Sequence, residues 1–192
     1  MKTDQKFPSR MEPAWRRLLL KHQGKTFCEL DRPKITDRVS GIVADFSDSL
    51  ILLHSFEWDT FSFNGFGVVR DVDVQRIRLF RRAKDWRNAA LEKMQERPTQ
   101  APQVNLFDWA SCITSAAERF PLLAINCEIT KPDVCYIGFP LKVTEKTLIL
   151  DSLNTNCEWT KPVHIKLSDI TRINFNEGYE RALAATAPAR KR

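Results

Sequence analysis

The chain has 192 residues, of which 43% are hydrophobic and 28% charged, with a formal net charge of +6. Those are the proportions of an ordinary globular protein. No apolar run approaches the ~18 to 20 residues that a membrane-spanning helix requires, and the polar start Met1–Arg10 lacks a hydrophobic segment before a cleavage site, so the expected location is the cytoplasm, away from a membrane.

Cys28, Cys112, Cys127, Cys135 and Cys157 are odd in number and widely spaced. None forms a CxxC pair, and His22, His54 and His164 do not join them in a zinc-like spacing. They read as reduced, mostly buried thiols, with no metal or cofactor expected. The positive charge is uneven: residues 1–98 hold 19 Lys/Arg against 14 Asp/Glu, and the remainder 11 against 10.

In chain order, Pro13 starts a helix over Ala14–His22, with Trp15, Leu18 and Leu19 on one face, and Gly24 ends it. Thr26–Leu30 reads as a strand before the turn Asp31-Arg32-Pro33. Val39–Phe46 alternates as a strand, Ser47-Asp48-Ser49 turns, and Leu50–Phe56 follows. Asp59–Gly65 carries the chain round to strands at Phe66–Arg70 and Val74–Phe80. Arg81–Arg97 reads as a helix that presents Trp86, Ala89, Ala90 and Met94 on one side. Pro98–Pro102 is a polar, proline-rich linker. The order then recurs: a helix over Asp108–Phe120, strands at Leu122–Ile129, Val134–Val143, Thr147–Leu153, His164–Leu167 and Ile170–Asn176, and a short helix over Gly178–Ala185.

Four matches support an internal repeat. Cys28-Glu29-Leu30 matches Cys127-Glu128-Ile129, and Leu50-Ile51-Leu52 matches Leu148-Ile149-Leu150. Glu57-Trp58 matches Glu158-Trp159, and Asp73–Ile77 matches Asp169–Ile173. The expected architecture is mainly β with short helices (α+β). It has two tandem units, 13–97 and 104–185, each a helix followed by a strongly bent five-stranded barrel whose first and last strands meet. Gly41 and Gly138 would permit the bends.

Gly41, Val43, Phe46, Leu50 and Leu52, then Val68-Val69-Arg70-Asp71 with Val74 and Ile77, resemble the two signatures of the Sm-like (LSm/Hfq-type) family. The second half matches more loosely, through Gly138, Leu148, Leu150, Ile165, Ile170 and Ile173. The resemblance implies a short helix plus five bent strands and an RNA-binding ancestry. In that family an Asp and an Asn at the turn between the second and third strands help hold a base. Here Ser47 and Ile51 stand at those places, and Glu145 and Ile149 in the second half. Arg70 is retained, and Lys166 is the nearest second-half equivalent.

Catalytic constellations are absent from the sequence: there is no GxSxG elbow and no phosphate loop, and His54 beside Asp59 lacks an evident nucleophile. The expectation is a non-catalytic protein. Two surface features remain. Phe56, Trp58, Phe61, Phe63 and Phe66 fall within eleven residues, and alternation leaves part of that set outside a core unless the segment packs on the helix that carries Trp86. Arg76, Arg78, Arg81, Arg82, Lys84 and Arg87, with Arg70, form a basic run able to face phosphates, or else a solvated face paired with Asp71, Asp73 and Asp85. The leading expectation is a protein partner engaged through Phe56, Trp58, Phe61 and Phe63, in an adaptor or in an immunity protein of the small bacterial toxin-neutralising kind. The alternative is single-stranded RNA bound by the basic run.

Overall fold

The computed structural model describes residues 14–35, 38–80 and 86–190, except for the side chains of Ala14 and Asn88. Helix α1 (Ala14–His22) buries Trp15 and Leu19 and leaves Leu20 in solvent. Gly24, at φ +69°, turns the chain out of it. Strands β1 (Phe27–Asp31), β2 (Val39–Phe46), β3 (Leu50–Glu57) and β4 (Ser62–Arg70) follow, then a single 3-10 turn at Asp71–Asp73 and strand β5 (Arg76–Leu79). Helix α2 is described over Trp86–Lys93 and ends before the expected Arg97, and Arg81, Arg82 and Lys84 lie outside the described residues. Helix α3 (Trp109–Ala117) is capped by Asp108, whose carboxylate accepts from the Ser111 N–H. Strands β6 (Leu123–Asn126), β7 (Cys135–Val143), β8 (Thr147–Leu153) and β9 (Val163–Lys166) lead to a second 3-10 turn, Leu167–Asp169. Strand β10 (Arg172–Phe175) and helix α4 (Gly178–Thr186) complete the described fold.

The α+β class agrees with expectation, but the arrangement of the strands does not. All ten described strands form one antiparallel sheet in the order β5-β1-β2-β3-β4-β10-β6-β7-β8-β9. Neither set of five closes on itself. The outer edge of β4 bonds to β10, in the register Val69↔Arg172 to Phe66↔Phe175, so the strand that would have been a free edge of the first half is covered by the last strand of the second. Edges remain at β5 and β9.

Both faces of this shared region are buried, which explains the unbroken run Leu50-Ile51-Leu52-Leu53. Ile51, Leu53 and Val69 face the core under α1, with Trp15, Leu19, Leu30 and Ile77. Leu50, Leu52, Phe66 and Val68 face the other way, into a core with Trp109, Ile113, Ile125, Leu148, Ile173 and Phe175. Period-two alternation thus sends neighbouring leucines and isoleucines into different cores.

Strand pairing also revises the repeat. Asp73–Ile77 and Asp169–Ile173 do correspond, because Asp31↔Arg76 in the first half mirrors Asn126↔Arg172 in the second. The Leu-rich strands correspond one residue out of the expected register: Phe46↔Ile51 matches Val143↔Leu148, each just beyond a bulge. Cys28 pairs with Gly41, where the second half has Leu123 with Gly138, so Cys127 and Glu128 are not the counterparts of Cys28 and Glu29. Short identities carry little register information once loops differ in length.

Gly41 and Gly138 occupy the same place. A Cβ on either would lie 2.0 Å from the carbonyl oxygen of strand-three residues His54 or Asp151, which are backbone atoms with little room to move. Gly41→Ala or Gly138→Ala is therefore expected to lower the unfolding free energy by about 1–3 kcal/mol, measured by urea titration.

Candidate functional site

The aromatic segment is drawn into one cluster at the turn between β3 and β4. Phe56 is buried. It meets Phe27, Trp58, Phe61 and Phe63 edge to face, with centroids 5.0, 5.2, 5.2 and 5.3 Å away. Phe61, at φ +51°, turns the chain so that its ring stacks on Trp86 of α2 at 5.6 Å. Phe63 and Phe66 enclose His54 between near-parallel rings, both at 4.7 Å. Burial alone lowers the His54 pKa to about 4, which keeps this imidazole neutral and sequestered. His54 therefore does not form the exposed dyad with Asp59 that its sequence position allowed.

Of the four residues expected to touch a partner, Phe56 belongs to the core and Phe61 and Phe63 are half-buried. Trp58 remains 36% exposed, and Trp86, which sequence reasoning had placed as packing for the loop, is 62% exposed. Trp58, Trp86 and Arg87 line a depression of about 430 Å³ with Glu29, Arg38 and Ser40. The Trp58 indole N–H donates to Ser40 Oγ at 3.1 Å, which fixes the ring. The Arg87 guanidinium lies 5.7 Å from the centroids of both indoles and 4.1 Å from that of Phe80.

Adjoining that depression, and sharing Arg38, Ser40 and Trp58 with it, is a second cleft of about 440 Å³. Its lining includes Ser55, Glu57, Trp58, Arg172, Asn174 and Glu177, from β3, β4's neighbour β10 and the start of α4. Nothing in the sequence pointed to Asn174 or Glu177, which carry no motif, and Ser55 figured there only as an unsupported nucleophile beside His54. The only local signal is Glu177-x-x-Glu180, a reciprocal cap that starts α4.

Of the basic run, Arg70, Arg76 and Arg78 are paired with carboxylates, and Arg81, Arg82 and Lys84 lie outside the described residues. Arg70 makes a two-pronged bond to Asp73 at 2.7 and 3.0 Å and reaches the Ser168 carbonyl. Arg76 pairs with Asp31 at 2.9 Å and Arg78 with Glu29 at 3.1 Å, both in solvent. At the turn between β2 and β3, Arg16 bonds Asp48 and the Ser47 carbonyl. The Ser47 hydroxyl donates to the Leu106 carbonyl, and Ile51 is buried. In the second half Glu145 and Lys166 are exposed.

The thiols divide. Burial pushes Cys28 and Cys112 up to about 12, so both stay protonated, whereas Cys135 is exposed and Cys157 half-buried. Among the described residues no group of three or more His, Cys, Asp and Glu is placed to hold a metal ion, and no helix is long and apolar enough to cross a membrane.

No protein-family model, curated protein or solved structure matches this chain.

Proposed function

We propose that this chain is a non-catalytic binding protein that engages another protein through the surface around Trp58 and Trp86, as an adaptor or a toxin-neutralising immunity protein does. The observation that carries this reading is the pair of exposed indoles held by a rigid aromatic cluster beside Arg87. Tryptophan and arginine on a preorganised surface supply much of the energy at protein interfaces, because few rotamers are lost on binding.

The same reading takes the two halves as divergent copies of one Sm-like unit, 13–97 and 104–185, with open rather than closed sheets. Support comes from the repeated strand order, the equivalent glycines, the matching bulges and the matching 3-10 turns. Single-stranded RNA ranks lower as a partner. Arg70, Arg76 and Arg78 already face carboxylates; of these the Arg76–Asp31 pair is solvent-exposed on both sides, the kind that contributes only ~0–1 kcal/mol and exchanges readily.

Capture from a nuclease-treated lysate, comparing the parent chain with a Trp58→Ser/Trp86→Ser variant, tests the reading. A protein retained by the parent and reduced at least about tenfold by the variant, the equivalent of 1.4 kcal/mol, is the expected result. Retained material that is entirely nucleic acid, or a partner indifferent to both indoles, would overturn it.

A further inference from the structure

The cleft beyond Trp58 holds one buried acceptor without a donor, Asn174 Oδ1, beside a serine hydroxyl and three carboxyl groups. The Ser55 side chain is 8% exposed and its hydroxyl makes no hydrogen bond among the described residues, yet it lines the cleft. Gly67 keeps the space over it open, since a Cβ there would lie 3.0 Å from Ser55 Oγ. Asn174 donates to Glu177 through its amide nitrogen, and its Oδ1 is buried without a partner. A buried acceptor left in this state is destabilising until a donor arrives.

Charge in the cleft points the same way. Glu57, Asp59 and Glu177 line it against Arg38 and Arg172. Arg172 already pairs with Glu128 at 3.3 Å, and Arg38 is exposed. Burial raises the Glu177 carboxyl to about 7. The fields of Glu180 and Glu57 add to the effect, and the Asn174 hydrogen bond and Arg172 do not overcome it. A carboxyl held close to neutrality among acids is one that an incoming cation would ionise.

We propose that this cleft receives the guanidinium group of an arginine presented by the partner protein, laid against Trp58 and hydrogen-bonded to Ser55, Asn174, Glu57 and Glu177. The assignment rests on the protein-binding reading above. A planar group with five donors fits separated acceptors better than a compact ammonium does, and it can lie against an indole. The fold already places Arg87 near this same indole. The cleft volume, about 440 Å³, suits one long side chain.

The test uses the full chain and N-acetyl-arginine methylamide as the probe, with the citrulline and lysine analogues as comparisons. The Trp58 indole N–H resonance, assigned by its loss in Trp58→Phe, is followed by NMR. A saturable shift is expected with the arginine probe. The neutral citrulline analogue, which keeps the shape and loses the charge, should bind about tenfold more weakly or less, a difference worth 1.4 kcal/mol; the lysine analogue should fall between. Glu177→Gln and Glu57→Gln should each weaken the arginine probe at least about threefold. Glu57 is exposed, so its variant retains the fold if Glu177→Gln does not. Calorimetry at pH 7 in buffers of different ionisation enthalpy should show proton release on binding that disappears in Glu177→Gln. An absent shift at Trp58, equal binding of arginine and citrulline analogues, or unchanged affinity in both Gln variants would overturn the assignment. If the probe fails while capture still depends on Trp58 and Trp86, only the arginine cleft falls; a partner indifferent to both indoles removes the docking reading itself.

Discussion

Replacing Glu128 with glutamine is expected to lower the unfolding free energy by about 3–5 kcal/mol, read from urea titrations at pH 7. The Arg32 side chain is fully buried, and both its terminal nitrogens donate to Glu128, at 2.7 and 3.1 Å. Arg32 follows β1 in the first half of the chain and Glu128 follows β6 in the second, so this pair joins the halves. Thr171 donates to the same carboxylate at 2.8 Å, and Arg172 approaches it at 3.3 Å. Burial by itself would raise the Glu128 pKa. The Arg32 hydrogen bond, the charges of Arg172 and Arg32, and the Thr171 hydrogen bond outweigh it, and the net shift is downward. A carboxyl with a depressed folded-state pKa stabilises the fold above its unfolded value and loses that contribution as pH falls through the folded one. Glutamine keeps the shape but removes the negative charge that Glu128 presents to the buried Arg32 and the partly buried Arg172. A paired change, Arg32→Met with Glu128→Leu, removes the buried pair and should recover part of the loss, with Arg172 and Thr171 still lacking the carboxylate, because a desolvated ion pair stabilises little relative to apolar groups of similar size. Loss below about 1 kcal/mol in Glu128→Gln would mean that the pair is hydrated and does not bind the halves together.

His54→Phe is expected to become more stable relative to the parent as pH falls from 7 to 4.5, by about 2–3 kcal/mol over that interval. At pH 7 the imidazole between Phe63 and Phe66 is neutral in folded and unfolded chains alike. Its pKa is about 4 when folded against an ordinary 6.5, so the unfolded chain binds the extra proton first. Stability is therefore full above pH 6.5 and declines as pH falls toward 4. Glu177 has the opposite sign. Its folded pKa, about 7, lies above its unfolded one, so its contribution is present below about pH 4.5 and lost as pH rises through 7. The two partly cancel in the parent chain, which makes the difference between parent and His54→Phe the useful quantity. Parallel stability–pH curves for the two would rule out a neutral, sequestered His54. Glu177→Gln should tilt the parent curve the other way.

Strand positions were largely legible in the sequence, because alternation at Val39–Phe46 and the turns at Ser47–Ser49 and Pro33 are local physics. So was the clustering of the aromatic segment, although its packing on Trp86 was one of two readings the sequence left open. The join between β4 and β10 was not legible. Which edge a strand offers, and to whom, is decided by the fit of Phe66 against Phe175 and Val68 against Ile173, contacts between residues far apart in the chain. That Glu29 and Glu128 each pair with an arginine was an expectation the sequence supported, but Arg32 as the partner of Glu128 was hidden for a related reason: matching Cys28-Glu29-Leu30 to Cys127-Glu128-Ile129 assigned Glu128 a strand position it does not hold. Asn174 and Glu177, and Ser55 as their neighbour in the cleft, escaped notice because single polar residues at strand ends are common, and their convergence exists only after the sheet is assembled. The basic run was visible, but its pairing with Asp31, Glu29 and Asp73 depended on register that the sequence left open.

Joining β4 to β10 also has a bearing on how the chain is made. The partner for the edge of β4 lies about a hundred residues downstream, and at ~5–20 residues per second the ribosome takes on the order of 5–20 s to supply it. Throughout that interval the apolar strand Phe66–Val69 has one side unpaired, in the form most prone to stick to another nascent chain. Productive folding of this protein thus has a waiting period built into its topology. A cell that makes it in quantity needs either a chaperone for the first half or a synthesis rate that shortens the wait.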